Sequence, residues 1–317
     1  MIEFPRRQCA TGVQNTGGQS LAKTRKISRK LISAPNTPPH LVGLRWRKLV
    51  RYFMNLDLEN KTALVTGSHR GTGQIIAQTL LNEGAQVLVH GMTMSQAQAS
   101  VEELGGGIAV SGDIVSQSGC QALLQACADY PVNILINNYG AADPSRWQPK
   151  GDGKDAEEDP WIVAYQKNVL SAQRLIEGML PSLIANGWGR IINLGTVGST
   201  SPNSRNPGYY SAKGALATMT VSLAKEVAGT GVRVNLVSPG MILTPEVQAG
   251  YMQRGLEQGW GSNWDEIEAH VAKDIPIRRI SRREEVAGLV AFLCGPQADA
   301  IHGQNIKMEG GQLGLVS

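Results

Sequence analysis

Short apolar runs rich in β-branched residues alternate with longer helical patterns from about residue 60 to the end of the chain. Strands that are apolar on both faces and alternate with helices are typical of a parallel sheet that helices cover on both sides. We therefore predict one α/β domain with a doubly wound, mainly parallel, seven-stranded sheet, whose ligand binds at the carboxyl ends of the strands. The predicted strands are 62–66, 86–90, 108–110, 133–137, 190–194, 232–237 and 305–308, and the predicted helices are 73–83, 94–104, 117–129, 160–186, 208–228 and 283–294.

The composition excludes several classes of protein. Hydrophobic residues make up 42% of the 317 residues, which is enough for a packed core. Since no apolar run approaches the roughly 18 to 20 residues that a transmembrane helix needs, we predict no membrane span. The four cysteines form no CxxC pair and are too few for a disulfide framework, so we expect a reducing, cytoplasmic location. The histidines are scattered without metal-ligand spacing, and we predict no metal site.

The first 53 residues differ in charge from the rest of the chain. They contain eleven Lys or Arg and one acid, Glu3, so they carry about +10 and the remaining residues about −6. We predict that residues 1–53 form a basic, disordered extension and that residues 54–317 form the folded domain. Three interpretations of the extension are open: a translated upstream stretch with Met54 as the true start, an organelle-targeting peptide, or a basic amphipathic helix at 41–53 that contacts a membrane surface or nucleic acid. Because basic tails are more common than basic binding sites, we expect no nucleic-acid partner.

A glycine-rich turn follows the first predicted strand and opens the first predicted helix, with Gly67, Gly71 and Gly73 in the spacing G-x-x-x-G-x-G. A Cβ at the first glycine would hinder the turn, at the second it would keep the chain from a pyrophosphate, and at the third it would push the helix from the strand. The helix N-terminus offers free amide hydrogens to phosphates. The turn therefore predicts a Rossmann-like dinucleotide site that uses Gly67, Ser68, Arg70, Gly71, Thr72 and Gly73.

The charge near this turn favours NADP over NAD as the cofactor. An NAD site usually places an Asp or Glu near the end of the second strand, where the carboxylate binds the ribose 2′-hydroxyl. Here that strand ends in the residues 89–92, Val-His-Gly-Met, without an acid. Arg70 lies inside the turn, where its guanidinium can bind a 2′-phosphate through two hydrogen bonds. The alternative interpretation is that Arg70 lies on the solvated surface and that the site does not discriminate.

Tyr209 and Lys213 stand four residues apart at the start of a helical pattern, so both side chains lie on one face of the helix. An unperturbed tyrosine has a pKa of about 10, which is too high for proton transfer near neutrality. A neighbouring ammonium favours the phenolate, and we therefore predict that Lys213 lowers the pKa of Tyr209. Tyr210 faces another direction, and we expect it to pack.

With these motifs the chain resembles the classical short-chain dehydrogenase/reductase family, from about Leu56 to Gly311. The family's NNAG motif is matched by residues 137–140, Asn-Asn-Tyr-Gly, and its PG motif by residues 239–240. The resemblance, which includes similarity to NADP-dependent carbonyl and 3-oxoacyl reductases, implies an enzyme that transfers hydride between NADPH and a small carbonyl or alcohol substrate. It also implies a homotetramer or homodimer. The implied cofactor contacts outside the turn are Asp113, Ile114, Asn138, Tyr139, Gly140, Tyr209, Lys213, Pro239, Gly240, Ile242 and Thr244.

The resemblance also assigns catalytic roles to four residues. Tyr209 donates a proton to the substrate oxygen, and Thr196 holds that oxygen by a hydrogen bond. Lys213 lowers the tyrosine pKa and binds the nicotinamide ribose. Asn168 holds a water that returns a proton to the tyrosine after it has donated its own. The family places a substrate lid at the position of residues 245–280.

Two residues depart from the family pattern. Thr196 stands where the family has its catalytic serine, with Ser199 as the alternative if the loop is shifted. Tyr139 stands where the family has alanine, and a large ring there would crowd the cofactor or add a stacking face. These departures support an alternative function, that of an NADP-binding sensor or scaffold of the same fold that has lost turnover.

Overall fold

The computed structural model describes residues 55–143, 145, 147 and 159–314 of the chain. The predictions for residues 1–53, and the interpretation of Met54 as the true start, concern residues outside the described ones. The strands are β1 (Thr62–Val65), β2 (Gln86–Gly91), β3 (Ile108–Ser111), β4 (Val132–Asn137), β5 (Gly189–Leu194), β6 (Val232–Pro239), β7 (Ile242–Leu243), β8 (Ser281–Arg282) and β9 (Asn305–Met308). The α-helices are α1 (Gly71–Asn82), α2 (Met94–Leu104), α3 (Gln117–Ala126), α4 (Pro160–Tyr165), α5 (Ser171–Ala185), α6 (Pro207–Glu226), α7 (Pro245–Gln258), α8 (Trp264–Val271) and α9 (Arg283–Cys294).

Seven strands form one parallel sheet in the order β3-β2-β1-β4-β5-β6-β9. The predicted doubly wound, seven-stranded sheet is therefore confirmed. The strand order runs outward from β1 to β3 on one side and from β4 to β9 on the other. The change of direction between β1 and β4 opens a crevice at the carboxyl ends of these strands, which is where ligands of such sheets bind.

Helices cover both faces of the sheet, and this explains why its strands are apolar without alternation. Neighbouring residues of a strand point to opposite faces. Val65 of β1 packs with Ile76 of α1 and Val290 of α9 in one apolar cluster. The preceding residue, Leu64, packs with Leu175 of α5 in a second cluster on the other face. Each position of a central strand is thus buried, and the apolar runs recognised in the sequence follow from this double burial.

The structure differs from the sequence-based prediction in two segments. The helix predicted at 160–186 consists of α4, a π-helical turn at Gln166–Leu170 and α5. Residues 245–280 form two helices, α7 and α8, and the flanking strands β7 and β8 pair in a separate two-stranded sheet. Strands of two residues have no detectable period, which is why these two were missed. None of the described helices has the length and hydropathy that a membrane crossing requires.

Gly119 fixes α3 against the segment that follows β3. A Cβ on Gly119 would lie 1.9 Å from the carbonyl oxygen of Asp113, and a backbone atom cannot move aside as a flexible side chain can. Gly288, an exposed residue in the middle of α9, has no atom within 4 Å of its ideal Cβ position. The two glycines therefore form a matched pair for the same substitution.

We expect Gly119→Ala to lower the free energy of unfolding by about 1–3 kcal/mol, because the methyl group forces α3 away from Asp113. Gly288→Ala should raise the free energy of unfolding by about 0.5–1 kcal/mol, because alanine is the better helix former. Urea denaturation of both variants measures the two values. Equal stability of Gly119→Ala and the wild-type protein would contradict the close approach.

Candidate active site

A cavity of about 390 Å³ opens at the carboxyl ends of the strands, beside the point where the strand order reverses. Segments that follow β1, β4, β5 and β6 contribute its walls, together with the first turns of α6 and α7. Its position agrees with the ligand site expected of a doubly wound sheet. The lining residues are Gly67, His69, Arg70, Gly71, Thr72, Gly73, Asn138, Tyr139, Gly140, Leu194, Gly195, Tyr209, Lys213, Pro239, Ile242 and Glu246.

The glycine turn has the geometry that its sequence predicts. Gly67 and Gly71 both have φ of +63°, a left-handed conformation that favours glycine. A Cβ on Gly73 would lie 2.6 Å from the carbonyl oxygen of Gly67, so only glycine lets α1 begin this close to the turn. Near Gly71, by contrast, no atom lies within 4 Å of the ideal Cβ position. The free amides of α1 therefore border open space in the cavity, as a phosphate site requires.

A buried histidine holds the turn onto the sheet. The amide of Gly67 donates a hydrogen bond to Nδ1 of His90 at 2.9 Å, and Nε2 of His90 lies 2.9 Å from the carbonyl oxygen of Gly112. Nδ1 accepts a hydrogen bond and therefore carries no proton, while the Gly112 carbonyl can only accept, so His90 is neutral with its proton on Nε2. Burial lowers the pKa of His90 to about 4, which keeps this tautomer neutral at physiological pH. The sequence analysis missed His90, because its function depends on contacts 22 residues or more away.

Four predicted cofactor residues have side chains or backbones turned away from the cavity. The hydroxyl of Ser68 is buried, where it donates to the carbonyl oxygen of Val65 at 2.7 Å. Ile114 is buried in the apolar core. Gly240 packs against Glu309, and the hydroxyl of Thr244 accepts from the amide of Val247 at the start of α7. Asp113 is exposed and does not line the cavity either. The predicted contacts outside the cavity are therefore Ser68, Asp113, Ile114, Gly240 and Thr244.

Tyr139, the residue that departs from the NNAG pattern, lines the cavity beside the glycine turn. Its amide donates to the hydroxyl of Thr66 at 3.0 Å, and a Cβ on Gly67 would lie 3.4 Å from the Tyr139 ring. Burial raises the pKa of Tyr139, and the negative charges of Asp113 and Asp143 act in the same direction. The ring is therefore a neutral, apolar face next to the turn.

The cavity also brings Tyr209 and Lys213 together on the first turns of α6, which begins with a proline at its first position. Nζ of Lys213 is buried and donates to the carbonyl oxygen of Leu194 at 2.7 Å. The same Nζ lies 6.0 Å from the centroid of the Tyr209 ring. The structure thus places both side chains on one face of the helix, as the sequence predicts.

The predicted lowering of the Tyr209 pKa is wrong. Burial raises the pKa of Tyr209 to about 12, and a hydrogen bond with the Thr196 side chain only partly opposes this effect. Burial also lowers the pKa of Lys213 to about 8. The ammonium of Lys213 is directed at the Leu194 carbonyl and not at the phenol, so desolvation outweighs its attraction for a phenolate.

The structure distinguishes between the two candidates for the serine position. Thr196 lies beside Tyr209, and its hydroxyl also accepts from the amide of Gly198 at 3.2 Å. Ser199 instead donates its hydroxyl to the carbonyl oxygen of Thr196 at 2.7 Å. Thr196 is therefore the hydroxyl next to the phenol, and Ser199 supports the loop.

Asn168 lies behind the cavity, in the π-helical turn. Its amide donates to the carbonyl oxygens of Ala141 at 2.9 Å and Ala164 at 3.0 Å, and its Oδ1 accepts from the amide of Ala141 at 3.2 Å. A Cβ on Gly140 would lie 2.5 Å from Oδ1 of Asn168 and 3.0 Å from Nζ of Lys213. Gly140 thus leaves the space in which both side chains approach the backbone.

Four lining residues were not predicted from the sequence: His69, Leu194, Gly195 and Glu246. Leu194 ends β5 and Gly195 follows it, so the rule that ligands bind at carboxyl ends of strands could have found them. Glu246 lies in the first turn of α7, and a hydrogen bond from Thr244 lowers its pKa. Among the described residues, no group of three or more His, Cys, Asp or Glu side chains could hold a metal ion.

Taken together, a doubly wound sheet, a glycine turn that opens α1 and a Tyr-Lys pair in the same crevice define a dinucleotide-dependent class of protein. Comparison with known proteins identifies the family. Residues 67–312 match a family model described as enoyl-(acyl carrier protein) reductase. The chain therefore belongs to the short-chain dehydrogenase/reductase family of oxidoreductases.

The two relatives described next match this chain over nearly their full length. An uncharacterized oxidoreductase, YvaG, of Bacillus subtilis is 34% identical over 269 residues, which are 81% of this chain and 98% of that protein. The 3-oxoacyl-(acyl-carrier-protein) reductase of Vibrio cholerae is 33% identical over 259 residues, with the same shares of the two chains.

Solved structures show the same fold. L-sorbose reductase from Gluconobacter frateurii, in complex with NADPH and L-sorbose, has a TM-score of 0.74 at 28% identity and covers 83% of this chain and 100% of that chain. The 3-oxoacyl (acyl-carrier-protein) reductase from Agrobacterium tumefaciens with NADP bound has a TM-score of 0.69 at 28% identity, covering 80% of this chain and 94% of that chain.

The buried ammonium of Lys213 costs stability at neutral pH. Because its pKa is about 8 in the folded state against 10.5 normally, the unfolded state binds more protons between these pH values, and stability rises with pH there. We expect Lys213→Met to raise the free energy of unfolding at pH 7 by about 1–3 kcal/mol, with the gain shrinking from pH 8 to 10.5.

Lys225, an exposed residue of the same helix, provides the control. Lys225→Met should change the free energy of unfolding by less than about 0.5 kcal/mol, both at pH 7 and at about pH 10.5. Chemical denaturation at both ends of the pH range measures the difference. A gain from Lys213→Met that stayed constant with pH would contradict the lowered pKa.

Proposed function

We propose that this protein is an NADPH-dependent carbonyl reductase that also oxidises the corresponding alcohols, with Tyr209 as the proton donor. The observation that carries the proposal is that Tyr209 and Lys213 line the cavity that begins at the glycine turn, while Thr196 forms a hydrogen bond with the Tyr209 side chain. The similarity to L-sorbose reductase, whose structure contains NADPH, supports this reaction class. We further propose a cytoplasmic homotetramer or homodimer that acts on a small-molecule substrate.

The residues around the turn fit a phosphorylated dinucleotide. The open space at Gly71 and the start of α1 give room and amide donors for a pyrophosphate. The exposed guanidinium of Arg70 at the same end supplies positive charge, and β2 ends without an acid. NADPH, when bound, would supply the hydride, while the chain's own residues position the substrate and provide the proton.

The raised pKa of Tyr209 suits the direction of reduction. With a pKa of about 12, the phenol stays protonated at neutral pH and can donate to a developing alkoxide. Thr196 would hold the same oxygen through its hydroxyl and stabilise the charge that develops there. Lys213 would bind ribose hydroxyls, and Asn168, whose amide is fixed by three hydrogen bonds, would position a water behind it.

Residues 245–280 form the proposed substrate lid. Glu246 of α7 lines the cavity, so this segment continues its wall. Gly255 of α7 lets Ile267 of α8 pack closely, since a Cβ there would lie 2.7 Å from the Ile267 side chain. The two helices therefore form one packed unit beside the cavity.

We expect Tyr209→Phe to lower the rate of carbonyl reduction by about 10²–10⁴-fold, because the proton donor is lost. NADPH binding should remain within about twofold, because the ring is kept. The loss of NADPH absorbance with a panel of ketones measures the rate, and fluorescence titration measures binding.

Tyr210→Phe is the matched control, since it removes a phenol hydroxyl one residue further along α6. That variant should retain most of the activity. Retained activity in Tyr209→Phe would overturn the proposed role. A wild-type protein that binds NADPH but reduces no ketone would instead support the alternative function as a sensor or scaffold.

Arg70 is the residue proposed to favour NADPH over NADH. A hydrogen bond to a charged group contributes about 1.5–3 kcal/mol, so Arg70→Ser should weaken NADPH binding about 10–100-fold. NADH, which has no 2′-phosphate, should bind within about twofold of its wild-type affinity. Parallel titrations with the two nucleotides test this, and an equal loss for both would contradict a role in discrimination.

A further inference from the structure

We infer that Ser145 is a positioning residue for Tyr209, because its hydroxyl caps the first turn of α6, the helix that carries the proposed proton donor. The inference rests on the proposed function, in which Tyr209 donates a proton to the substrate oxygen. Ser145 does not line the cavity, and neither the glycine turn nor the Tyr-Lys spacing indicates it. Its effect on the reaction passes through the backbone of α6.

Helix α6 begins without a side-chain cap of its own. The first amides of a helix have no carbonyl partner within the helix, and the residue at the N-cap position often accepts from one of them. Pro207, the first residue of α6, has no N–H, and the amide of Tyr210 donates to the carbonyl oxygen of Asn206 at 3.1 Å. The side chain of Asn206, at the N-cap position, forms no capping bond. Because Gly208 is buried, its amide requires an acceptor from another segment of the chain.

Ser145 supplies this acceptor from the segment that follows β4. Its hydroxyl accepts from the amide of Gly208 at 2.8 Å, although the two residues are 63 positions apart in the sequence. Ser145 is only 2% exposed, so solvent has almost no access to this hydrogen bond. A Cβ on Gly208 would lie 3.0 Å from Oγ of Ser145 and 3.2 Å from its Cβ, so glycine allows the close approach. The hydroxyl thus caps α6 at the residue immediately before Tyr209.

Two further contacts hold the backbone around Ser145 in place. The side-chain amide of Asn168 donates to the carbonyl oxygen of Ala141 at 2.9 Å, and Nζ of Lys167 forms an ion pair with Asp143 at 2.6 Å. Both Lys167 and Asn168 belong to the π-helical turn. The residues that precede Ser145 are therefore attached to the turn that also carries Asn168, one of the proposed catalytic residues.

The two members of the Tyr-Lys pair are held in different ways. Nζ of Lys213 donates to the carbonyl oxygen of Leu194, which fixes the lysine independently of the first turn of α6. Tyr209 lies in that first turn, directly after Gly208, and its side chain forms a hydrogen bond with Thr196. Loss of the cap should therefore displace the phenol and leave the lysine in place. A displacement of about 1 Å can lower a reaction rate about 100-fold.

Ser145→Ala removes the acceptor, and we expect it to lower kcat for ketone reduction about 10-fold, because the phenol acts in the transition state. KM for the ketone and the dissociation constant of NADPH should stay within about twofold of the wild-type values. Ser145→Cys should lower kcat similarly, since a thiol has nearly the same size but is a weak acceptor. The loss of NADPH absorbance measures kcat and KM, and fluorescence titration measures binding.

Ser116→Ala is the matched control. The hydroxyl of Ser116 caps α3 by accepting from the amide of Gly119 at 3.0 Å, and Ser116 lies outside the cavity. This variant should lower the urea midpoint of unfolding as Ser145→Ala does, and it should leave kcat within about twofold. In the Tyr209→Phe background, Ser145→Ala should lower the residual rate by less than about twofold, because the group that it positions is gone.

Wild-type kcat in Ser145→Ala or in Ser145→Cys would overturn the inference, and so would an equal loss of kcat in Ser116→Ala. An undiminished effect of Ser145→Ala in the Tyr209→Phe background would also overturn it, since a merely structural role gives that result. A wild-type protein that reduces no ketone, or a Tyr209→Phe variant that stays active, would instead refute the proposed function, and the role of Ser145 with it. The two failures are therefore distinguishable.

Discussion

The hydrogen bond from the Gly67 amide to Nδ1 of His90 fixes the geometry of the cavity end that we propose as the nucleotide site. Through Nε2 the same ring reaches the carbonyl oxygen of Gly112, so one imidazole joins the glycine turn, β2 and the end of β3. The bond that Nδ1 accepts requires the neutral ring, and burial keeps the pKa of His90 near 4. The turn, the start of α1 and the position of His69 all follow from this fixed connection.

At the other end of the cavity, burial disfavours the charged forms of Tyr209 and Lys213. Burial holds Tyr209 protonated and draws the pKa of Lys213 down to about 8, so the ammonium form is retained only at a cost. The Leu194 carbonyl offsets part of this cost with its hydrogen bond. A chain under selection for stability alone would place an apolar side chain at position 213. The buried lysine is therefore evidence for a function that needs a charge there.

The fold and much of the site could be predicted from the sequence, because both depend on local patterns. Double burial makes each strand a continuous apolar run, and the glycine spacing reflects contacts within a single turn. The π-helical turn around Asn168 and the pairing of β7 with β8 have no such local signal. The direction of the Tyr209 pKa was also missed, since spacing along a helix says that two groups are near but not how deeply they are buried. His90 has its role only through partners on neighbouring strands.

The two ends of the cavity differ in how firmly the sheet holds them, and this difference bears on specificity. At the nucleotide end, backbone and side-chain hydrogen bonds fix the turn to β2. At the proposed substrate end, α7 and α8 pack on each other through the Gly255–Ile267 contact, and Trp260, which follows α7, stacks on His270 of α8 with ring centroids 4.6 Å apart. The proposed cofactor site thus belongs to the core of the fold, whereas the proposed substrate lid is formed by segments around it.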